Sequence, residues 1–351
     1  MRTKNMEPSR KWTQVAMAGI LASCAGTSVQ AQSSVTIQGN LDVNLRTVRN
    51  DGTRNTLSTN GPSASNIALR GTEDLGGGLR ASFWLETTVA VDTGGGGAAN
   101  GQFWDRRATL GLQSSHWGEL RMGRDYVPSY ANISRFDPLK ANGVGNANNL
   151  EPTTNSLGSS ASTLLRSNNT ISYFTPSTLG GFYAHAMYAP GEGLPSRYRG
   201  LRVGYAEKKF EIAVAYGATV GDAAGNEFKV VNVGGTYDFG IVRAMAFFQK
   251  GSYLQRRQDN YLIGVIVPAG TGEVRVSYQR ADQAGAGTDA NDARQAALSY
   301  FHPLSKRTAI YASASKVFNS GVQTYRASSS GGPLTPGHNS TGTEFGVQHS
   351  F

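Results

Sequence analysis

Hydrophobic and polar residues alternate with period two along most of the chain. From Val35 to Thr47 one face reads Val35, Ile37, Gly39, Leu41, Val43, Leu45 and Thr47, and the other reads Thr36, Gln38, Asn40, Asp42, Asn44 and Arg46. An amphipathic helix cannot produce this pattern, because its side chains repeat every 3.6 residues. The pattern returns at Leu79–Glu86, Leu201–Tyr205, Phe210–Tyr216 and Val274–Gln279, with Arg and Glu on one side and Leu, Tyr and Phe on the other. Such strands have one oily and one polar face, and the first is long enough to cross a bilayer at a tilt.

The connections also alternate, between short and long. Short turns fall at Glu73–Gly78, Ser115–Gly118, Ser177–Gly181, Glu207–Lys209, Asp238–Gly240, Pro268–Gly272 and Pro303–Arg307. Long polar or Gly-rich stretches fall near Asn50–Pro62, Asp92–Gly101, Asp125–Leu165, Pro190–Arg199, Thr219–Asn226, Ser252–Asn260, Asp282–Asp292 and Asn319–Ser340. Seven short and eight long connections predict sixteen strands, with both ends on the short-turn side. The expected fold is therefore all-β: a 16-stranded antiparallel transmembrane β-barrel with periplasmic turns and external loops. A β-helix would need a fixed repeat, and none is found. A β-sandwich gives no reason for loop lengths to alternate.

The ends agree with this reading. Arg2, Lys4, Arg10 and Lys11 precede an apolar stretch from Val15 to Cys24, followed by Val29-Gln30-Ala31 as a small-x-small cleavage site. Residues 1–31 are expected to be a removed signal peptide, with Met1 or Met6 as initiator, leaving a single domain over 32–351. Leu21-Ala22-Ser23-Cys24 also fits a lipoprotein acylation site. The better-formed later site is preferred, and the mature chain then has no cysteine. Thr343, Phe345, Val347 and His349 share one parity before Phe351, a terminal aromatic of the kind that barrel-assembly machinery reads.

Composition narrows the function. Only 16% of the 351 residues are charged, 44 are Gly, and the net charge is +9. Without the leader's four basic residues and Glu7 the balance is +6. In an exported barrel that excess suggests an anion-attracting pore in preference to nucleic-acid binding. The mature histidines, His116, His185, His302, His338 and His349, have no metal-ligand spacing, and no Ser–His pair with an orienting partner is found. Gly94–Gly97 lacks the Gly-Lys-Ser/Thr ending of a phosphate loop. Neither an enzyme nor a cofactor is expected.

Several runs resemble those of the general trimeric porins of β-proteobacteria. They are Gln32 to Gly39, the specific Leu69-Arg70-Gly71-Thr72-Glu73-Asp74-Leu75-Gly76-Gly77-Gly78-Leu79, Gly118 to Arg124, and Phe345 to Phe351. The resemblance spans the mature chain. It implies a homotrimer in the outer membrane, in contact with lipid and lipopolysaccharide and assembled by the barrel-assembly machinery. It also implies that loop 125–165, the third external loop, folds inward to constrict the lumen.

Candidate pore residues follow from phase and resemblance together. Arg70 shares the inward phase of Asn66 and Ala68; the family often carries an Arg where Asn66 stands. Arg166 opens the strand after the third loop, where the resemblance implies a wall arginine. Arg106 and Arg107 head another strand: the resemblance favours Arg106, and alternation through Leu110 and Leu112 favours Arg107. Arg46, Arg80 and Arg202 are also inward by phase. Asp125, Asp137 and Glu151 are the loop acids, and Asp137 is expected to oppose the arginines across the neck. Tyr173, Tyr188, Tyr205, Tyr216, Tyr237 and Tyr300 suit interfacial girdles, with Trp117 at the periplasmic rim. The function expected is passive diffusion of small anions and hydrophilic solutes. The alternatives are a channel specific for organic or inorganic anions, or an adhesin-type surface barrel.

Overall fold

The computed structural model describes residues 33–97, 101–193 and 196–351, so the expected signal segment lies outside the described residues. Among the described residues eighteen strands join in one sheet, of which two, Thr53–Thr59 and Gly95–Gly96, are loop hairpins; the other sixteen form the closed barrel. In chain order these are β1 (Ser34–Arg49), β2 (Asn66–Gly76), β3 (Leu79–Ala90), β4 (Arg107–Ser114), β5 (Gly118–Tyr126), β6 (Arg166–Phe174), β7 (Phe182–Ala189) and β8 (Tyr198–Ala206). They continue with β9 (Phe210–Val220), β10 (Glu227–Asp238), β11 (Arg243–Tyr253), β12 (Arg256–Ala269), β13 (Gly272–Ala284), β14 (Ala293–Pro303), β15 (Thr308–Asn319) and β16 (Ser340–Ser350).

Neighbours pair antiparallel, and the last strand closes on the first, from Asn40↔Ser350 to Arg49↔Thr341. Gly39 and Phe351 exchange backbone hydrogen bonds of 3.1 and 3.0 Å below that register. Closure leaves no unpaired strand edge in the bilayer, where an unsatisfied backbone group costs several kcal/mol.

Side-chain phase agrees with the alternation. Val35, Ile37, Leu45, Leu110, Ile263, Leu298 and Phe345 point outward and are exposed, the arrangement lipid requires. Asp42, Asn44 and Arg46 point inward and are buried. Of the expected girdle, Tyr173, Tyr188, Tyr237 and Tyr300 are exposed on the outer face.

The seam is reinforced from inside. Arg46 donates from Nε and Nη2 to Glu344 Oε2 at 3.1 and 2.9 Å. Asp42 accepts the backbone N–H groups of Gly61 (3.0 Å) and Ser63 (3.3 Å) and the Tyr311 hydroxyl (2.5 Å). That carboxylate draws the first loop into the lumen.

The third loop begins at Val127, because Asp125 and Tyr126 still belong to β5, so the expected boundary at 125 moves two residues later. A helix, α1 (Pro128–Phe136), is followed by a 3-10 turn at Ala147–Leu150 and a short helical turn at Thr154–Leu157. Pro at its first position suits α1, since the first-turn N–H groups have no helical partner.

Four apolar anchors hold this loop against the inner wall. Val127 packs with Met187, Ala189 and Tyr198, and Ile133 and Phe136 pack with Ala213, Phe247 and Leu262. Leu150 packs with Ala281, Ala293 and Val317, and Leu157 with Phe228, Val230 and Tyr253. The wall makes room by omission. A Cβ on Gly234 would lie 2.2 Å from the Phe136 ring, and one on Gly264 would lie 2.4 Å from Pro138. Polar contacts fix the register: Asn132 donates to Asn232 Oδ1 at 2.9 Å, and Gln258 donates to the Leu150 carbonyl at 2.7 Å. The third loop is thus the core of the barrel, and β7 to β15 are its bed.

Candidate pore constriction

The third loop covers one side of the lumen, leaving β2 to β6 bare on the other. Between them lies an open cavity of about 690 Å³. Arg106, Arg107, Arg121, Asp125, Tyr126 and Arg166 line it from the bare wall. Tyr130, Ser134, Arg135, Lys140 and Asn142 line it from the loop.

Both arginines of the disputed pair face this cavity. Arg107 has the inward phase on β4, opposite Glu86. Arg106 precedes the strand and turns in, donating from Nε to Glu86 Oε1 at 2.5 Å and from Nη2 to the Tyr126 hydroxyl at 3.0 Å. Resemblance and alternation disagree here because alternation governs only residues inside a strand.

Asp125 stands on the arginine wall and not on the facing loop. One carboxylate oxygen accepts from Arg107 at 2.7 Å and the other from Arg121 at 2.7 Å. Arg121 also pairs with Glu119 at 2.7 Å. Arg166 donates to the Tyr126 hydroxyl at 2.5 Å and lies 4.2 Å from the centroid of its ring.

Arg70 lies apart from this group, in a smaller cleft of about 290 Å³ shared with Thr36, Ser82, Trp84, Thr109 and Gln113. Its guanidinium carbon sits 5.4 Å from the Trp84 ring centroid, and that of Arg107 sits 4.6 Å from the same ring. Arg107 and Arg121 line both spaces, so the basic surface is continuous from one to the other. Among the described residues, neither Arg70 nor Arg166 has a carboxylate within ion-pair distance, whereas Arg106, Arg107 and Arg121 do.

Three expectations change. Asp137 borders the cavity that the arginines line, but it is 2% exposed, and its carboxylate is turned to the backbone N–H groups of Leu139 (3.0 Å), Ala141 (3.0 Å) and Ala147 (2.8 Å). It organises the loop, and its oxygens are satisfied by those donors. Glu151 follows the 3-10 turn and is not part of the cavity lining. Asn66 opens β2 and donates to the Ala64 carbonyl at 3.2 Å, outside both spaces. The loop therefore presents Arg135 and Lys140 to the aperture where acids are expected from the sequence.

Sequence reasoning misses Tyr126, Arg121 and Trp84. Tyr126 and Arg121 lie in the run Gly118–Tyr126, whose inward phase Glu119, Arg121, Gly123 is the signal that could flag Arg121. Arg46 is inward but bound at the seam, and Arg202 is inward beneath α1, donating to Asn132 Oδ1 at 2.6 Å. Among the described residues, no group of three or more His, Cys, Asp or Glu could hold a metal ion.

The comparison with known sequences decides the family: the profile described as Gram-negative porin matches residues 16–322. The chain belongs to the Gram-negative porins. Outer membrane porin protein 32 of Delftia acidovorans is 33% identical, with 97% of this chain and 100% of that protein covered. An outer membrane porin protein of Bordetella pertussis strain Tohama I is 28% identical, covering 84% and 91%. Among solved structures, the anion-selective porin from Comamonas acidovorans superposes on this porin with a TM-score of 0.82 at 32% identity, covering 91% and 100%. OmpT of Vibrio cholerae shares the fold, with a TM-score of 0.67 at 14% identity, covering 91% and 98%. This porin is an outer-membrane channel.

Proposed function

We propose that this porin is a passive diffusion channel for small hydrophilic solutes that prefers anions, and that the bare wall of β2 to β6 sets the preference. One observation carries the reading: Arg70 and Arg166 have no carboxylate partner among the described residues, and the loop across the aperture offers Arg135 and Lys140. Charges lining a narrow aqueous passage raise the local concentration of counter-ions, and low-dielectric walls strengthen the effect. The solved relative that is called anion-selective supports the same sign. The chain supplies binding and field only; no reaction is assigned to it.

The family resemblance supports a homotrimer with its apolar outer surface against lipid and lipopolysaccharide. The Phe351 ending is the signal offered to the assembly machinery. The test is the purified protein in planar bilayers under a salt gradient. Conductance steps in threes and a chloride-directed reversal potential are expected. A potassium-directed potential overturns the charge argument.

A further inference from the structure

The loop side of the aperture carries a cation that no ion pair consumes. Arg135 pairs with Glu211 at 2.5 Å, Arg243 with Asp238 at 3.2 Å, and Arg275 with Glu273 at 2.6 Å. Lys140, which lies among them, has no carboxylate within ion-pair distance among the described residues. It is exposed, while its neighbours Leu139 and Ala141 are 4% and 6% exposed. Lys140 also lines two spaces at once: the main cavity, and a pocket of about 240 Å³ bounded by Pro62, Ser63, Glu273 and Arg275.

The backbone is built to hold it there. Lys140 and Ala141 both have φ of +56°, a left-handed conformation that side chains with a Cβ reach at a cost of about 1–2 kcal/mol each. Asp137 offsets that strain by receiving the N–H groups on both sides of Lys140 through its carboxylate and the Lys140 N–H through its carbonyl at 2.9 Å. Asn142 Nδ2 donates to the Lys140 carbonyl at 2.8 Å. Pro138, seated over Gly264, fixes the approach. Glycine or asparagine would occupy such a turn with less strain, and strain held in place by its surroundings points to a used position.

We propose that Lys140 is the selectivity-determining cation on the loop side of the aperture, held toward the passage by the turn that Asp137 clasps. This deepens the anion-channel reading and rests on it. A permeating small anion then passes between two basic surfaces. Desolvation by the surrounding wall and then Arg275 hold the Lys140 pKa below its ordinary value, Glu273 pulls it up, and Arg243 and Arg135 lower it further.

The test uses the full-length protein assembled in bilayers, read by reversal potential in a potassium chloride gradient. Lys140→Glu should lower the chloride-to-potassium permeability ratio by roughly two- to fivefold, as expected for reversing a charge near the path in a high-dielectric setting. Lys140→Arg should keep it. Lys140→Cys, treated in the open channel with a sulfonate-bearing methanethiosulfonate, avoids any folding defect and should show the same fall as the reagent is added. Untreated Lys140→Cys channels and reagent-treated wild type serve as references. If wild-type channels prefer potassium, the anion-channel reading itself is lost. If wild type prefers chloride but neither Lys140→Glu nor the modified cysteine moves the ratio, this proposal alone is overturned.

Discussion

Tyr126 at the end of β5 and Tyr130 in α1 stack with ring centroids 5.1 Å apart and planes 10° from parallel. This contact joins the arginine wall to the loop at one edge of the aperture. Such aromatic pairs contribute about 0.5–1.5 kcal/mol beyond the area they bury. Tyr130→Ala is expected to leave the barrel intact but let the loop fluctuate, so single channels should show noisier open currents. Open-channel noise equal to wild type would mean that the four apolar anchors hold the loop unaided.

The wall arginines should separate into two classes by substitution. Arg70→Glu together with Arg166→Glu reverses two charges that no carboxylate offsets and should move the reversal potential toward potassium. Arg107→Gln removes a charge paired with Asp125 at 2.7 Å, and should change selectivity less. It should cost more stability, because it strips a partner from a carboxylate that is 1% exposed. Reversal potentials and the temperature of heat-induced unfolding in detergent separate the two. Equal shifts from both variants would contradict the assignment.

The socket at Gly234 can be filled. A Cβ there would sit 2.2 Å from the Phe136 ring, so Gly234→Val must displace α1 or strain the wall. Overpacking of this kind costs about 1–3 kcal/mol. A lower unfolding temperature with altered single-channel conductance is expected. Gly235→Val, on the neighbouring and opposite-facing position, is the control for the strand itself.

The external rim contains an acid-sensitive clasp. Asp51 in the first loop accepts the Thr335 N–H and hydroxyl at 2.6 and 2.8 Å, and faces His338 Nδ1 at 2.8 Å. The Thr335 hydroxyl, then His338, hold the Asp51 pKa below its ordinary 3.8. A carboxylate with a lowered folded pKa contributes its full stabilisation above the unfolded value and loses it as pH falls through the folded one. Protease cleavage within the last external loop should therefore be constant down to about pH 4 and increase below it. Asp51→Asn should raise cleavage already at neutral pH; no difference there would dismiss the clasp.

The strands are legible because lipid imposes a side-chain period of two that short-range sequence records directly. The sequence places a strand opening at Arg166, and β6 begins there. The inward loop is only implied by length and resemblance, yet its bed leaves a trace. Phe228, Val230 and Phe247 put apolar side chains on the lumen face, breaking the polar phase where Leu157 and Phe136 rest. Asp137 is misread for a different reason. Its partners are backbone N–H groups of its own loop, and side-chain type says nothing about whether a carboxylate meets solvent or an amide. Arg106 escapes the alternation because it precedes its strand.

The seam of the barrel carries a cost in time. Arg46 meets Glu344 across 298 residues of chain, and β1 completes its pairing only with β16. Contacts that distant form slowly, because the loop entropy is lost before any contact offsets it. No partial barrel is therefore a finished product. Until the last strand arrives, β1 presents bare N–H and C=O groups to any strand of any chain nearby, an exposed edge that only closure of the barrel removes.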